Sequence, residues 1–202
     1  TIQTMIEVEF LGTGTSTGVP QLGCECEVCK SADPRDKRLR CSAIVRTQGV
    51  SLLIDCGPDF RQQMLRASDL HLDALLITHS HYDHVGGMDD LRPYCREIPF
   101  PVYAQPNVVA DIKARIPYCF REHLYPGVPT FDMHPLAGEP FEVKGVRVEP
   151  LPVMHYKLPI FGYRIGNLAY ITDAKTIPPS TMARLQGIDT LIINALRFKP
   201  HL

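Results

Sequence analysis

An excess of charge of one sign is the first feature that this sequence lacks. Its 202 residues carry 21 Lys and Arg against 22 Asp and Glu, a formal net charge of −1. Binding driven mainly by attraction to a polyanion such as nucleic acid is therefore not expected, although a local basic patch stays open. No apolar run is long enough to cross a membrane, and the N-terminus lacks the basic and apolar regions of a signal peptide.

A disulfide framework is also not indicated, because the seven cysteines are an odd number. Three of them, Cys24, Cys26 and Cys29, crowd into one hexapeptide. This crowding favours a reducing compartment, and therefore the cytoplasm, together with metal binding. Three thiolates at this spacing can meet one zinc ion and stabilise a Cys-rich loop over about 23–41, with the fourth ligand elsewhere. The alternative is a set of unligated thiols.

The stretch from His79 to His84 is the most informative in the chain. It places three imidazoles and a carboxylate within six residues, directly after an apolar run at 75–77. His79 and His81 alternate, so they point to the same side while the chain stays extended. Nitrogen and oxygen ligands without sulfur suit a zinc, manganese or iron site better than a closed structural zinc site. The alternative is a polar loop that happens to be His-rich.

Three further side chains follow predicted strands, as the His cluster does. They are Asp55, His155 and Asp173. Each alone is unremarkable, and Asp55 is equally suited to an ordinary turn. Together with the His cluster they supply a third imidazole for one metal and a carboxylate able to bridge two. His123 and His134 have no ligand-like neighbours and are predicted not to bind metal.

Alternating and continuous apolar runs predict an α/β fold in one domain over residues 1–202. We expect strands at 6–10, 42–46, 51–54, 72–78, 102–104, 146–153, 161–165, 168–171 and 190–194, and helices at 60–67, 86–91, 108–115 and 180–185. Residues 93–141 show the weakest pattern. The Gly-rich segment 12–18 is either a turn between strands or an anion-binding loop, and it lacks the ending of a P-loop.

A strand ending in Asp, then H-x-H-x-D-H, then an isolated His and an isolated Asp resembles the metallo-β-lactamase superfamily from about residue 5 onward. The resemblance implies a four-layer αββα sandwich with a metal site at one edge of the paired sheets. It also implies roles for the residues above. The ligands of one metal would be His79, His81 and His155, those of the other Asp83 and His84, with Asp173 bridging and Asp55 supporting the His loop.

The F-L-G-T-G opening followed by C-x-C-x-x-C is similar to one branch, typified by phosphoribosyl 1,2-cyclic phosphate phosphodiesterase, and to a pyrroloquinoline quinone biosynthesis protein. This implies two divalent metals (zinc or manganese, or iron), one structural zinc at the cysteines, and a small or cyclic phosphate ester as substrate. A metal-bound hydroxide would attack phosphorus, with Asp83 orienting it and His201 as general acid. The alternative for His201 is a frayed terminal residue.

The sequence departs from this family at its end. Family members continue into a strand ending in T-H-x-x-H, whose first His completes the second metal position and whose second closes the structural zinc site. No such segment is present, so we expect that the chain is truncated at its C-terminus. Alternative functions on this scaffold are a tRNA 3′-processing nuclease, disfavoured because no long basic arm is present, a thioester hydrolase, or a non-catalytic metal-binding accessory protein. A homodimer is left open.

Overall fold

Two β-sheets form the centre of the structure, a computed structural model that describes residues 5–196. The first sheet has six strands in chain order: β1 (Ile6–Gly12), β2 (Ser42–Thr47), β3 (Val50–Ile54), β4 (Ala74–Leu76), β5 (Phe100–Ala104) and β6 (Phe131–Pro135). The second has five: β7 (Phe141–Val143), β8 (Val146–His155), β9 (Leu158–Ile165), β10 (Leu168–Ile171) and β11 (Thr190–Ile193). Strands β3 to β6 run parallel, as do β10 and β11, and the other neighbours are antiparallel.

Short helices join these strands and cover the outer faces of the sheets. The α-helices are α1 (Glu27–Lys30), α2 (Phe60–Met64), α3 (Tyr82–Val85), α4 (Pro106–Arg115) and α5 (Pro179–Arg184). Three 3-10 helices lie at Pro34–Asp36, Met88–Cys95 and Pro117–Phe120. None of the helices in the described part of the chain has the length and apolar character that a membrane span requires.

Both faces of the first sheet are buried. Successive side chains on a strand point to opposite faces, and each face packs against a different layer. Ile44 and Leu53 point outward and pack with residues of α2 and α4. Their neighbours Val45 and Leu52 point the other way, into the space between the two sheets. Each such side chain is fully buried and contributes about 1.5–3 kcal/mol relative to exposure.

The second sheet is buried on both faces in the same manner. Tyr163 and Val148 face the first sheet, whereas Ile160 and Ile171 pack with Leu185 at the end of α5. The order of layers is therefore helix, sheet, sheet, helix. The predicted αββα architecture is confirmed.

The structure corrects the elements around the His cluster. The helix predicted over 86–91 is wrong in its bounds and in part in its type, because α3 starts already at Tyr82 and is followed by a 3-10 helix over Met88–Cys95. The Gly86–Gly87 pair interrupts the helix, and Pro93 cannot continue an α-helical hydrogen-bond ladder. The sequence also missed β6, within 93–141, and β7, which begins at the last residue of that range. Both are partly exposed and gain their order from pairing with β5 and β8.

Asp73 joins the two sheets from the side opposite the His cluster. Its buried carboxylate accepts hydrogen bonds from the Ser51 amide at 2.8 Å and from Lys144 Nζ at 2.5 Å. Burial by itself would raise the pKa of Asp73, but the bonds to Lys144 and Ser51 outweigh it and lower that pKa. The charged form therefore stabilises the fold.

Replacement Asp73→Ala should lower the free energy of unfolding by about 1–3 kcal/mol at neutral pH, because the Ser51 amide loses its acceptor. The loss is measured by chemical denaturation, with the exposed Asp132→Ala as control and an expected change below about 1 kcal/mol. Because the pKa of Asp73 is lowered on folding, the difference between Asp73→Ala and wild type should disappear only as the pH falls below 3.8 and through that lowered pKa. An equal effect of both substitutions would contradict this role.

Candidate metal centre

The ends of four strands bring the predicted site residues to one edge of the paired sheets. Asp55 follows β3 directly, and the His cluster follows β4 after a short extended segment. His155 is the last residue of β8, and Asp173 lies two residues beyond β10. The carboxyl ends of neighbouring parallel strands lie at the same edge of a sheet, so β3 and β4 present their loops side by side.

Backbone contacts interlock the Asp55 loop with the His loop. The Cys56 amide donates to the His84 carbonyl at 2.7 Å, and the Gly87 amide donates to the Cys56 carbonyl at 2.9 Å. A Cβ atom on Gly57 would lie 2.0 Å from the Asp83 carbonyl oxygen. Glycine at position 57 is therefore required so that the two loops can approach each other this closely.

Asp55 is the buried connection between these loops. One carboxylate oxygen accepts from the Thr78 amide at 2.8 Å, and the other accepts from the Thr78 hydroxyl at 2.8 Å and lies 2.7 Å from His84 Nδ1. The carboxylate thereby holds the proton on Nδ1 and leaves His84 Nε2 to face the site. Asp55 also adopts a positive φ of 61°, a conformation that Asp tolerates better than most residues.

The first group of candidate ligands consists of His79, His81 and His155. One ring nitrogen of each lies within 4.8 Å of those of the other two. His79 Nε2 and His81 Nδ1 are 3.0 Å apart, while His79 Nδ1 contacts the Thr78 hydroxyl at 3.0 Å. Burial and the neighbouring His84 and His81 rings lower the pKa of His79 to about 3, and burial and His155 lower that of His81. Both rings are therefore neutral at pH 7 and offer lone pairs.

The second group converges on His84. Its Nε2 atom lies 3.2 Å from an Asp83 oxygen and 3.3 Å from an Asp173 oxygen. The Asp173 oxygen also accepts from the Thr172 hydroxyl at 2.7 Å. Burial disfavours the charged forms of these groups, but their mutual attraction prevails. It lowers the pKa values of Asp83 and Asp173 and, with Asp55, raises the pKa of His84 well above its usual value.

This donor set fits divalent cations. Neutral imidazoles and ionised carboxylates are the ligands that zinc, manganese and iron share. A cation near Asp83, His84 and Asp173 would be stabilised by the same negative charges that raise the pKa of His84, so a proton and a metal compete for this position. His79 lies in both groups, because its ring nitrogen is also within 4.8 Å of ligand atoms of His84 and Asp173.

The three clustered cysteines also converge. The Sγ atoms of Cys24, Cys26 and Cys29 lie within 4.8 Å of one another around the short helix α1. The Cys29 amide donates to Cys26 Sγ at 3.5 Å, and this hydrogen bond is the main reason that the pKa of Cys26 is lowered. Three sulfur atoms in this arrangement fit zinc, and among the described residues the group has no fourth member.

A cavity of about 560 Å³ opens beside the His and Asp groups. Its lining includes Asp83, His84, His155 and Asp173, together with the Gly-rich segment 12–16 and Arg38. Sequence reasoning did not identify Arg38, Cys41 or Asn194 as part of this wall, because no motif marks them. His123 and His134 belong to no ligand group among the described residues, and His201 lies outside them.

Close backbone packing explains why glycine occupies positions 12 and 14 of the opening segment. A Cβ on Gly12 would lie 2.0 Å from the Arg40 carbonyl oxygen, and one on Gly14 would lie 2.6 Å from the Arg38 carbonyl oxygen. The Gly14 amide donates to the Leu39 carbonyl at 2.7 Å. Of the two alternatives for this segment, the structure shows close backbone packing against 38–40, which places the segment along the cavity.

Comparison with known families agrees with this geometry. The family described as "Beta-lactamase superfamily domain" matches residues 51–202. The chain belongs to the metallo-β-lactamase superfamily. The resemblance noted in its sequence is thereby confirmed.

Three known proteins are similar to this chain over most of its length. An octanoyltransferase of Porphyromonas gingivalis is 49% identical over 192 residues, 94% of this chain and 39% of that protein. A structure described as a new diphosphatase from the PhnP family is 40% identical, with a TM-score of 0.89 over 98% of this chain and 77% of that chain. Zinc-bound PqqB from Methylobacterium extorquens is 27% identical, with a TM-score of 0.76 over 94% of this chain and 72% of that one. The chain spans about two fifths of the length of the curated relatives that it matches first.

The buried role of Asp55 leads to a prediction about metal affinity. Asp55→Asn keeps the shape of the side chain but replaces the carboxylate that faces His84 Nδ1 by a neutral amide. Metal affinity should therefore fall about 10- to 100-fold. Asp55→Ala should in addition lower the free energy of unfolding by about 3–5 kcal/mol, because it leaves buried partners unpaired. Chelator competition and denaturation measure the two effects, and an Asn variant with wild-type metal affinity would contradict the assignment.

The cysteine cluster leads to a separate prediction. Cys24→Ser should remove about one equivalent of zinc per chain and expose the segment around α1 to proteolysis, because a hydroxyl is a weaker zinc ligand than a thiolate. Elemental analysis and limited proteolysis measure this. The half-buried Cys95, outside the cluster, provides the control Cys95→Ser, which should leave zinc at that site unchanged. Equal zinc content in the wild type and Cys24→Ser would rule out the structural zinc site.

Proposed function

We propose that this protein is a hydrolase with two divalent metals that cleaves a P–O bond in a small phosphodiester or diphosphate. The observation that carries the proposal is the convergence of His79, His84 and Asp173 with the other candidate ligands at the wall of one cavity. The 40% identical diphosphatase supports the choice of phosphorus as the reacting centre. The superfamily by itself supports only a metal-dependent hydrolase, since one fold hosts many hydrolyses.

We assign the candidate ligands to two metals as the family resemblance implies. His79, His81 and His155 would hold one cation, Asp83 and His84 the other, and Asp173 would bridge them. When bound, the cations supply Lewis acidity toward phosphoryl oxygens and toward water. Zinc is the metal named for the PqqB relative, and manganese and iron suit the same donors.

Asp83 is the residue best placed to orient the attacking water. Its carboxylate lies at the cavity wall and is ionised at neutral pH, because the contact with His84 lowers its pKa against the effect of burial. An ionised carboxylate accepts a hydrogen bond from water and so fixes the direction of its lone pair toward phosphorus. His201 stays our proposal for the general acid that protonates the leaving oxygen.

The octanoyltransferase relative favours a second candidate, the hydrolysis of an octanoyl thioester. That relative is 49% identical, but the aligned segment makes up 39% of its length, so its name describes a much longer protein. A thioester carbonyl would be polarised by the same Lewis acids. We rank this candidate second because the cavity wall carries Arg38 and Lys175, which suit a charged substrate better than a neutral acyl group.

Hydrolysis assays on the metal-loaded protein distinguish the two candidates. We expect turnover of bis(p-nitrophenyl) phosphate or of ADP after addition of zinc or manganese, and loss of turnover with a chelator. Turnover of the phosphate-free thioester octanoyl-N-acetylcysteamine without cleavage of either phosphate compound would favour the thioesterase. Absence of all three activities, with full metal content, would favour a non-catalytic metal-binding protein.

Asp83→Asn tests the proposed catalytic role. We expect kcat to fall by about 10²- to 10⁴-fold, because a neutral amide is a weaker acceptor for the attacking water than an ionised carboxylate and orients it less firmly. Metal content is measured on the same sample, with Asp132→Asn as an exposed control. Full turnover with normal metal content in Asp83→Asn would contradict the assignment.

A further inference from the structure

Arg38 forms part of the cavity wall that carries the candidate metal ligands. We propose that its guanidinium binds an anionic oxygen of the substrate and thereby selects phosphate compounds over neutral esters. This inference rests on the proposed function, because it assigns a specificity residue to the same site. The observations that carry it are the fixed backbone of Arg38, the absence of a partner for its side chain among the described residues and its place in the cavity lining.

Two hydrogen bonds to Val19 fix the backbone of Arg38. Its amide donates to the Val19 carbonyl at 2.8 Å, and its carbonyl accepts from the Val19 amide at 2.8 Å. The next residue, Leu39, accepts from the Gly14 amide at 2.7 Å. These bonds attach the segment to the opening loop, so the Arg38 side chain starts from a defined point at the cavity.

Two arginines close to Arg38 in sequence have charged partners among the described residues, unlike Arg38 itself. Arg35 pairs with Asp33 at 2.5 Å, and Arg40 pairs with the half-buried Asp59 at 2.9 Å. Arg38 lies between them in sequence, and within residues 5–196 its guanidinium has neither a hydrogen bond nor an ion pair. Of these three arginines, Arg38 therefore has its charge available for a ligand.

The chemistry of the guanidinium matches the proposed substrate class. Its planar set of N–H donors binds two oxygens of one phosphate at a time, which a point charge does not do. A diphosphate or phosphodiester offers such oxygens next to the cleaved bond, whereas a thioester offers a single neutral carbonyl. Anion binding at Arg38 would thus lower KM for phosphate substrates and leave neutral esters almost unaffected.

The alternative is that Arg38 acts only on the metal centre, by balancing the negative charge of Asp83 and Asp173 across the cavity. Neither carboxylate is within ion-pair distance of Arg38. In that case its removal would change metal content, and all substrates would be affected equally. The two roles are therefore distinguishable by measurement.

The test compares Arg38→Ala and Arg38→Lys with Arg35→Ala, a control on the same segment that does not line the cavity. For bis(p-nitrophenyl) phosphate we expect kcat/KM to fall about 10- to 100-fold in Arg38→Ala, mainly through KM, with partial recovery in Arg38→Lys. Hydrolysis of p-nitrophenyl octanoate, if present in the wild type, should change less than about twofold. Metal content should be unchanged in every variant.

Calorimetric binding of ADP to the metal-loaded protein separates this inference from the proposed function. If the wild type binds ADP and Arg38→Ala weakens that binding at least tenfold, Arg38 is an anion contact even where no phosphate compound is cleaved. If ADP affinity and KM stay at wild-type values in Arg38→Ala, the inference is overturned, and the proposed hydrolase activity is not affected by that result. Loss of metal from Arg38→Ala would also overturn it.

Discussion

The hydrogen bonds of the Asp55 carboxylate are the interaction on which the rest of the site depends. They connect the end of β3 to Thr78 at the end of β4 and to His84 at the end of the His loop. A buried carboxylate is costly without such partners, so the three contacts stabilise one another. Because the contact with His84 also fixes which ring nitrogen faces the cavity, one buried group determines both the position and the protonation of a candidate ligand.

Close backbone packing makes this arrangement possible. Gly57 lies against the Asp83 carbonyl, and Gly12 lies against the Arg40 carbonyl, at distances that no side chain would allow. Both contacts join a loop of the site to another segment from a different part of the chain. The glycines therefore serve the assembly of the cavity, and the proposed chemistry depends on them only through the position of the loops.

The lining of the cavity carries both negative and positive side chains. At the ends of the strands the ionised carboxylates of Asp83 and Asp173 lie beside the His84 ring, whose pKa they raise, while the neighbouring His79 ring stays neutral. Arg38 adds a positive charge to the lining of the same cavity without pairing with either carboxylate. In the proposed function, the negative charge of a phosphate substrate would meet the bound cations and the guanidinium together.

The sequence by itself determined the fold class, most strands and the candidate ligands, because apolar periodicity and the spacing of His79, His81, Asp83 and His84 are local properties. It also placed Asp55, His155 and Asp173 at strand ends, where their convergence was a prediction. Only the tertiary structure decided that α3 begins within the His loop, that β6 and β7 are strands, and that Arg38 is part of the cavity lining. These features depend on contacts between distant segments, such as Val19 with Arg38, which no local pattern in the chain encodes.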